Sequence, residues 1–378
     1  SSDLREPASP EEISAAAIHQ FDVNNVTGLN IPIKLKHEGT SEEEVKLTVT
    51  NVQRYDPQQP NRLFPTEDSW TRTIVEGSQF TMPAQGEEND SINLTLALED
   101  TSADLTANPP RFARAGTFVF DITARYQNQP LVSHSLRFTI NVGKVDAVSV
   151  VAAGGGNLQA EPGGIASFSI SVRNTGNTVA QHKLTCVSGH GWPVELGPSQ
   201  SSTIDFEPLD ILEFLPMQVR LRIPPVTNGS PPAGEVDMIT CTVTSSNDPT
   251  FSHSEYANVT VSELKVFSTE LFDLQGNPVG PEASALPITV ETGETVNVSM
   301  SITNIGNIEI PLSVKLQSAN TDWGMYLVYD GVIEYDRVTF NLLPGHSTTV
   351  QVTAIIPLST SDGSQNAFSL TTRLDEVG

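Results

Sequence analysis

The sequence predicts an all-β protein built from tandem antiparallel β-sandwiches, and three observations lead to this prediction. Short stretches alternate apolar and polar residues with a period of two, which is typical of half-buried strands. The 378 residues include 26 glycines and 26 prolines, a composition rich in turns. One segment of the chain is also repeated. Since a domain contains roughly 100–200 residues, the length indicates two to four domains.

The composition indicates a folded and acidic chain. Hydrophobic residues make up 38% and charged residues 17%, the reverse of a disordered acidic segment. The formal net charge of −25 argues against nucleic acid or an anionic membrane surface as the partner, because both would repel the protein. No run of about 18 or more apolar residues occurs, so the given chain is not predicted to span a membrane.

The clearest repeat relates residues 161–177 to residues 291–307. In the first segment Phe168, Ile170 and Val172 alternate with serines, which predicts a strand with one buried face. Both segments then end in Asn-x-Gly-Asn, whose residues tolerate positive φ, so the chain is expected to turn there.

A weaker copy at the N-terminus places Ile31, Ile33 and Leu35 at the corresponding strand positions. The copies are about 120–130 residues long, and each contains about seven short strands separated by turn signals. This pattern predicts three two-sheet antiparallel β-sandwiches, at residues 1–144, 145–263 and 264–378. The connections between the copies are short, which favours a semi-rigid rod.

The third copy is predicted to lack its last strand. The first two copies end in a hairpin, whereas the third has the first hairpin strand at residues 365–374 and stops at Gly378 inside the turn. Three explanations remain open: the native chain continues beyond Gly378, another chain donates the strand, or the copy is a shorter sandwich. An open edge exposes backbone donors to which a further strand can add.

The two cysteines, Cys186 and Cys241, are predicted to lie side by side on inward strand faces. The other copies have aliphatic residues at both positions, Val49 with Ile122 and Leu316 with Leu370. The spacing fits neither a zinc site nor a redox motif, which leaves a disulfide or two buried free thiols. The disulfide is favoured, because the repeat places the two residues next to each other. A disulfide would place the protein in an oxidising, extracellular setting.

The second and third copies both contain Asn-x-Gly-Asn. Each also has a tryptophan further along the chain, in the pairs Gly191-Trp192 and Asp322-Trp323. With the later LLPGHSTTV run at 342–350, they resemble the immunoglobulin-like domains of the NPCBM-associated and cell-adhesion-related (CARDB) types. The resemblance covers about residues 145–378, although the second copy lacks the Leu-x-Pro-Gly-x-Ser run. It implies a tandem array in an archaeal or bacterial surface or secreted protein, with no catalytic residues.

No catalytic set is recognisable, so the chain is predicted not to be an enzyme. None of the seven histidines forms an HExxH or HxH motif, and no GxSxG occurs. His134 and His253 share one repeat position, which favours a structural role, whereas His190 lies in a Gly-His-Gly-Trp loop. No cofactor is expected. Calcium at the acidic clusters 42–44 and 87–90 is the alternative to solvated turns, and no EF-hand loop supports it.

Two kinds of surface site are candidates for glycans. Trp192 and Trp323 are expected to cap the core, whereas Trp70, in a first-copy insertion rich in Pro and Gln, is expected to be exposed and to stack on a sugar. Six Asn-x-Ser/Thr sequons are candidate glycosylation sites expected to face solvent: Asn25, Asn89, Asn93, Asn228, Asn258 and Asn297.

The sequence therefore predicts a non-catalytic extracellular structural or adhesive protein, a stalk or subunit of a microbial surface layer, filament or adhesin. Its expected partners are other copies of itself or other surface proteins, through strand addition at the open edge of the third copy, and glycans. The alternative is a carbohydrate-binding accessory region of a secreted hydrolase.

Overall fold

The computed structural model describes residues 2–5, 18–24, 26–37, 39–55, 63–64, 69–131, 133–153, 158–279, 286–319 and 322–375. Within these residues the regular structure is entirely β, with 28 strands. The strands form six sheets, which pack in pairs around three hydrophobic clusters. We refer to these pairs as sandwiches 1, 2 and 3. The described part of the chain has no helix that is long and apolar enough to cross a membrane.

Sandwich 1 contains β1 to β10. The strands are β1 Ser2–Arg5, β2 Ile18–Phe21, β3 Gly28–His37, β4 Glu43–Tyr55, β5 Leu63–Phe64, β6 Trp70–Ile74, β7 Gln79–Met82, β8 Ser91–Asp100, β9 Gly116–Tyr126 and β10 Ser133–Val142. One sheet has the order β1-β3-β8-β6, and the other has the order β2-β10-β9-β4-β5, with β7 also paired to β4.

Sandwich 2 contains β11 to β19. The strands are β11 Val148–Ala153, β12 Leu158–Ala160, β13 Ile165–Asn174, β14 His182–Ser188, β15 Val194–Leu196, β16 Thr203–Asp205, β17 Phe214–Arg222, β18 Val236–Ser245 and β19 Ser252–Val261. The two sheets have the orders β11-β13-β17-β15 and β12-β19-β18-β14-β16.

Sandwich 3 contains β20 to β28. The strands are β20 Phe267–Phe272, β21 Pro278–Val279, β22 Thr295–Asn304, β23 Ile310–Ser318, β24 Gly324–Tyr329, β25 Val332–Glu334, β26 Arg337–Leu342, β27 Ser347–Ile355 and β28 Phe368–Leu374. One sheet has the order β21-β20-β22-β27-β24-β25 and the other has the order β26-β23-β28.

The strand pairing is immunoglobulin-like, as the sequence predicted. In sandwiches 1 and 2 the first strand pairs antiparallel with the third, while the second crosses to the other sheet and pairs parallel with the last. The last two strands form an antiparallel hairpin in that second sheet. A two-sheet sandwich with this connectivity matches the immunoglobulin architecture. In the residues that the structure describes, every pair of neighbouring strands lies within one of the three predicted ranges. The division into three domains stays a prediction.

The repeated segment forms the same strand twice. In β13 and β22 every second residue points into the core, because side chains alternate between the two faces of a strand. The buried apolar residues are Ala166, Phe168, Ile170 and Val172 in β13, and Val298, Met300 and Ile302 in β22.

In sandwich 3, β28 lies at the edge of its sheet. This strand pairs with β23 alone, whereas its counterpart β18 pairs with both β14 and β19. No strand follows β28 in the residues that the structure describes. As a result Phe368 and Leu370 are only partly buried, while Ile239 and Cys241 at comparable places in sandwich 2 are fully buried.

Cys186 and Cys241 form a disulfide, so they are not the two free thiols of the alternative. The bond joins the neighbouring strands β14 and β18 of one sheet, rather than the two sheets as in antibody domains. Aliphatic residues face each other at the same place in the other sandwiches, Val49 with Ile122 and Leu316 with Leu370. The repeat alignment had predicted this adjacency.

The expectation that Trp70 is exposed is wrong. Trp70 is only 3% exposed and is part of the core of sandwich 1. It begins β6, whose alternation turns Trp70 and Ile74 inward. Its ring makes edge contacts with Phe21 and Phe118, at centroid distances of 5.5 and 5.4 Å. A ring enclosed in this way cannot stack on a sugar.

Candidate functional site

The junction between sandwiches 1 and 2 is organised by the second asparagine of the Asn-x-Gly-Asn motif, Asn177, whose side chain is fully buried. Its Nδ2 donates to the main-chain oxygens of Ala113 and Gly143, both over 2.8 Å. Its Oδ1 accepts from the main-chain N–H of Val145 over 2.7 Å. One amide therefore holds both the connecting segment and a loop of the preceding sandwich.

The junction between sandwiches 2 and 3 repeats this arrangement at Asn307. Its Nδ2 donates to the main-chain oxygens of Pro231 and Ser262, over 3.2 and 3.0 Å. Its Oδ1 accepts from Leu264 N–H over 2.7 Å. We call the three side-chain hydrogen bonds of Asn177, and the same three of Asn307, the junction clamp.

Main-chain hydrogen bonds reinforce each clamp. Ala115 N–H donates to the main-chain oxygen of Asn177 over 3.0 Å, and Ala233 N–H donates to that of Asn307 over 3.2 Å. The asparagine N–H groups in turn donate to Val145 and Leu264, both over 3.1 Å. The two junctions are thus built from equivalent backbone and side-chain contacts.

The glycine inside the motif is required by the close approach of the connecting segment. A Cβ at Gly176 would lie 2.5 Å from the main-chain oxygen of Val145. A Cβ at Gly306 would clash with the main-chain oxygen of Leu264. Neither glycine has a left-handed φ, so space rather than backbone conformation excludes a side chain at these positions.

The first asparagine of the motif acts within its own sandwich. Asn174 donates from Nδ2 to Thr178 and Leu209, and Asn304 donates to Ile308 and Leu342. In sandwich 1 the corresponding residue is His37, whose Nδ1 lies 2.6 Å from the main-chain oxygen of Pro83.

Sandwich 1 differs at the clamp position itself. The motif there reads His-Glu-Gly-Thr, and Thr40 occupies the clamp position. Thr40 is exposed, and its side chain lacks the amide group that forms the three hydrogen bonds of the clamp. The clamp asparagine thus occurs in the two sandwiches that dock onto a preceding one in this chain.

A second group of polar residues surrounds His190, in the loop between β14 and β15. The ring Nδ1 lies 2.9 Å from Asp237 Oδ1, and Nε2 lies 3.0 Å from Glu235 Oε1. Asp237 is fully buried and also accepts hydrogen bonds from Ser188 Oγ and from the N–H of His190. The imidazole stacks on Trp192 with a centroid distance of 5.0 Å. We call His190, Trp192, Glu235 and Asp237 the histidine cluster.

Charge and burial shift two pKa values in this cluster. The hydrogen bond to Asp237 raises the pKa of His190, and the negative charges of Asp237 and Glu235 add to this effect, which burial opposes. Burial by itself raises the pKa of Asp237, but the hydrogen bonds from Ser188 and His190 outweigh it and the pKa is lowered. Both shifts favour the charged forms of the two groups.

The histidine cluster borders an open cavity of about 300 Å³. The cavity lies between His190, Trp192 and Glu235 on one side and the loop that precedes β18 on the other. The lining residues of that loop are Pro224, Pro225, Thr227, Ser230 and Pro231. The same loop meets sandwich 3, because a Cβ on Gly229 would lie 2.7 Å from Pro344.

The structure distributes the predicted surface sites over separate regions. Asn89, Asn93, Asn228 and Asn297 are exposed, Asn258 is half-buried, and Asn25 lies outside the described residues. Trp192 and Trp323 are half-buried, and Trp192 packs against the core of sandwich 2. His134 is exposed, and His253 accepts a hydrogen bond from Val150 N–H over 3.2 Å.

Among the described residues no group of three or more His, Cys, Asp or Glu could hold a metal ion.

Sequence reasoning missed the role of Asn177 and Asn307 and the partners of His190. The repeat had marked both asparagines only as turn residues. The threonine at position 40 was a usable signal, because the first copy lacks the second asparagine of the motif there and also has His37 in place of the first asparagine. Asp237 lies 47 residues from His190 and gave no local signal.

No protein-family model matches the chain, and no curated protein matches it. Several solved structures are similar over long stretches. A human CEP192 ASH/PapD-like domain matches at 10% identity and a TM-score of 0.24, over 38% of this chain and 84% of its own. A chaperone–tip adhesin complex of CFA/I fimbriae matches at 12% and 0.27, over 61% and 85%. Protocadherin gammaB7 EC3-6 matches at 8% and 0.32, over 95% and 98%.

These scores do not identify a relative, and the immunoglobulin-like class of the chain rests on its own strand pairing. The fold and the junctions define an array of immunoglobulin-like β-sandwiches. The NPCBM-associated or CARDB type that the sequence motifs suggested stays a prediction.

Proposed function

We propose that this protein is a non-catalytic extracellular structural or adhesive protein, which acts as a stiff stalk or subunit of a microbial surface layer, filament or adhesin. The observation that carries the proposal is the junction clamp, formed by the same atoms at Asn177 and Asn307. A buried amide with its hydrogen bonds satisfied by two neighbouring units restricts the motion between them. Flexible arrays need no such contacts.

Three further properties support an extracellular setting. The disulfide Cys186–Cys241 is of a kind that persists in oxidising compartments. The net charge of −25 keeps a strand-rich surface solvated and discourages association between sheet edges. Exposed sequons such as Asn93 and Asn297 would accept glycans in a host that glycosylates such sites.

The partners in this proposal are other copies of the protein, or other surface proteins, that add a strand to β28. Strand addition supplies main-chain hydrogen bonds along the edge and apolar side chains for the core beneath it. The partial burial of Phe368, Leu370 and Leu374 supports this part of the proposal, because they pack against a core that the sheet covers only on one side of β28.

Stiffness is tested by small-angle X-ray scattering of the full chain. With both clamps intact we expect one narrow distribution of interatomic distances, on the order of 100 Å long for three sandwiches with strands of about ten residues. A variant with both Asn177→Ala and Asn307→Ala is expected to give a broader distribution and a scattering curve typical of flexible beads. Asn30→Ala, on an exposed face of β3, is the matched control. Identical curves for all three proteins would contradict the proposal.

A carbohydrate-binding accessory region of a secreted hydrolase is the second candidate. Since Trp70 is buried, the observation that favours it is the half-buried Trp192 beside the 300 Å³ cavity. Glycan-array binding that disappears in Trp192→Ala and persists in Trp70→Phe would support this candidate, and a negative array with wild-type protein would remove it.

A further inference from the structure

We propose that His190 is a proton-sensitive latch that stiffens the junction between sandwiches 2 and 3. The inference builds on the junction clamp at Asn307 and goes beyond the proposed function, which requires no response to pH. It follows from the position of Glu235. The segment 231–235 faces sandwich 3 with the oxygen of Pro231 and the N–H of Ala233, both bonded to Asn307. The same segment ends at Glu235, which His190 holds from within sandwich 2.

The chemistry of imidazole makes this contact depend on protonation. Both ring nitrogens of His190 face carboxylate oxygens, and a carboxylate can only accept. An imidazolium donates from both nitrogens at once, whereas a neutral imidazole donates from one. Loss of the proton therefore breaks one of the two bonds.

The bond to Glu235 is the one expected to break. Asp237 is fully buried and accepts two further hydrogen bonds, so its position is fixed by β18 and by the loop of His190. The side chain of Glu235 is 27% exposed and can turn towards water. Once it is released, the segment 231–235 loses its side-chain anchor next to the junction.

Among the residues that the structure describes, the charged groups in contact with the ring of His190 are the carboxylates of Glu235 and Asp237. The proline-rich wall of the cavity opposite carries no charge. Trp192 stacks against the ring, and its π face also favours the charged form. Other titratable groups lie near this junction. Glu263 and Lys265 of the connecting segment form an exposed ion pair over 3.3 Å, and Nδ1 of His346 in sandwich 3 is 3.0 Å from the oxygen of Pro344.

The sign of the pH effect follows from the raised pKa of His190. A histidine whose folded pKa is above its unfolded value of about 6.5 contributes its full stabilisation below that value and loses it as the pH rises through the folded pKa. The junction is therefore tight in mildly acidic solution and looser in alkaline solution. His182, in sandwich 2, shows the opposite shift, because burial lowers its pKa.

The chain supplies its own reference for a test by amide hydrogen exchange. Ala233 N–H and Ala115 N–H occupy equivalent places at the two junctions, each bonded to the oxygen of a clamp asparagine. The protection factor of each amide is measured in the full-length protein at about pH 6, below the ordinary histidine pKa of about 6.5, and at about pH 9. The ratio of the Ala233 to the Ala115 factor removes effects of pH that both junctions share.

In wild-type protein we expect this ratio to fall about two- to fivefold between the lower and the higher pH, the range of a partly exposed ion pair. In His190→Gln and in Glu235→Gln the ratio is expected to be low and independent of pH, whereas His346→Gln keeps the wild-type fall. A ratio that does not change with pH in wild-type protein, or a fall that disappears in His346→Gln and persists in His190→Gln, overturns the latch. Weak protection of both alanines at every pH would instead contradict the junction clamp and the proposed function.

Discussion

Nδ2 of Asn177 in sandwich 2 donates to the main-chain oxygen of Ala113 in sandwich 1 over 2.8 Å, across 64 residues of sequence. The second N–H of the same amide donates to the main-chain oxygen of Gly143, and its Oδ1 accepts from the main-chain N–H of Val145. Both donors of the side chain and one side of its acceptor are therefore satisfied in a buried place. Removing this side chain is therefore expected to be costly, because each main-chain group left buried without its partner costs about 1–3 kcal/mol.

The first prediction concerns the glycine of the motif. Gly306→Ala places a methyl group against the main-chain oxygen of Leu264 and is expected to destabilise the junction between sandwiches 2 and 3 by about 1–3 kcal/mol, as overpacking usually does. The measurement is protection of the Ala233 amide, together with denaturant unfolding of the full chain.

Gly143→Ala is the matched control for this prediction. Gly143 lies in the connecting segment of the other junction, has no left-handed φ, and a Cβ there would meet nothing within 4 Å. The free energy of unfolding of the Gly143→Ala variant is expected to stay within about 0.5 kcal/mol of the wild-type value. If both variants lose stability equally, the close approach at Gly306 is not what the motif requires.

The second prediction concerns the disulfide. Cys186→Val combined with Cys241→Ile installs the pair that sandwich 1 has at this place, Val49 with Ile122. We expect the fold to be retained and the free energy of unfolding of sandwich 2 to fall by up to about 4 kcal/mol, the chain-entropy value for a closed loop of this length. Chemical denaturation of the two proteins under oxidising conditions measures the difference. Loss of the native circular dichroism spectrum would show that the aliphatic pair cannot replace the disulfide.

The elements that the sequence predicted well are those with local periodicity. The segments 161–177 and 291–307 predicted β13 and β22, because alternation of apolar residues fixes which face of a strand is buried. The repeat also predicted that Cys186 and Cys241 are neighbours, since aliphatic residues at both positions in other copies indicate a shared place in the core.

The elements that the sequence could not predict depend on contacts between distant residues. Trp70 was misplaced because its aromatic partners Phe21 and Phe118 come from other strands, and the polar sequence around it gave no sign of them. The clamp of Asn177 and the ion pair of His190 with Asp237 were invisible for the same reason: hydrogen-bond partners at long separation leave no periodic pattern.

The third prediction concerns the open edge at β28. A peptide with the sequence of β19, SHSEYANVTV, fills the corresponding place in sandwich 2, where Ala257, Val259 and Val261 point into the core. We expect this peptide to bind the full chain at β28 and to raise the unfolding midpoint of sandwich 3, because binding to the folded state stabilises it by mass action.

The control peptide for strand addition carries aspartate at the position of Val259, which would bury a charge beneath the edge. Hydrogen exchange of the β28 amides then shows where the peptide lies. Equal effects of the two peptides, or protection away from β28, would contradict strand addition at this edge.

The fourth prediction concerns acid. Because the pKa of Asp237 is lowered in the folded protein, its carboxylate contributes stability that is fully present above the unfolded pKa of about 3.9 and is lost as the pH falls through the lowered folded value. Asp237→Asn keeps an acceptor for Ser188 Oγ but cannot titrate. Wild type is therefore expected to be more stable than Asp237→Asn at about pH 6, with the difference shrinking below about pH 4. Urea midpoints of both proteins across this range give the difference directly, and the other carboxylates affect both alike. A difference that stays constant down to about pH 2.5 would show that the buried carboxylate is not charged in the folded protein.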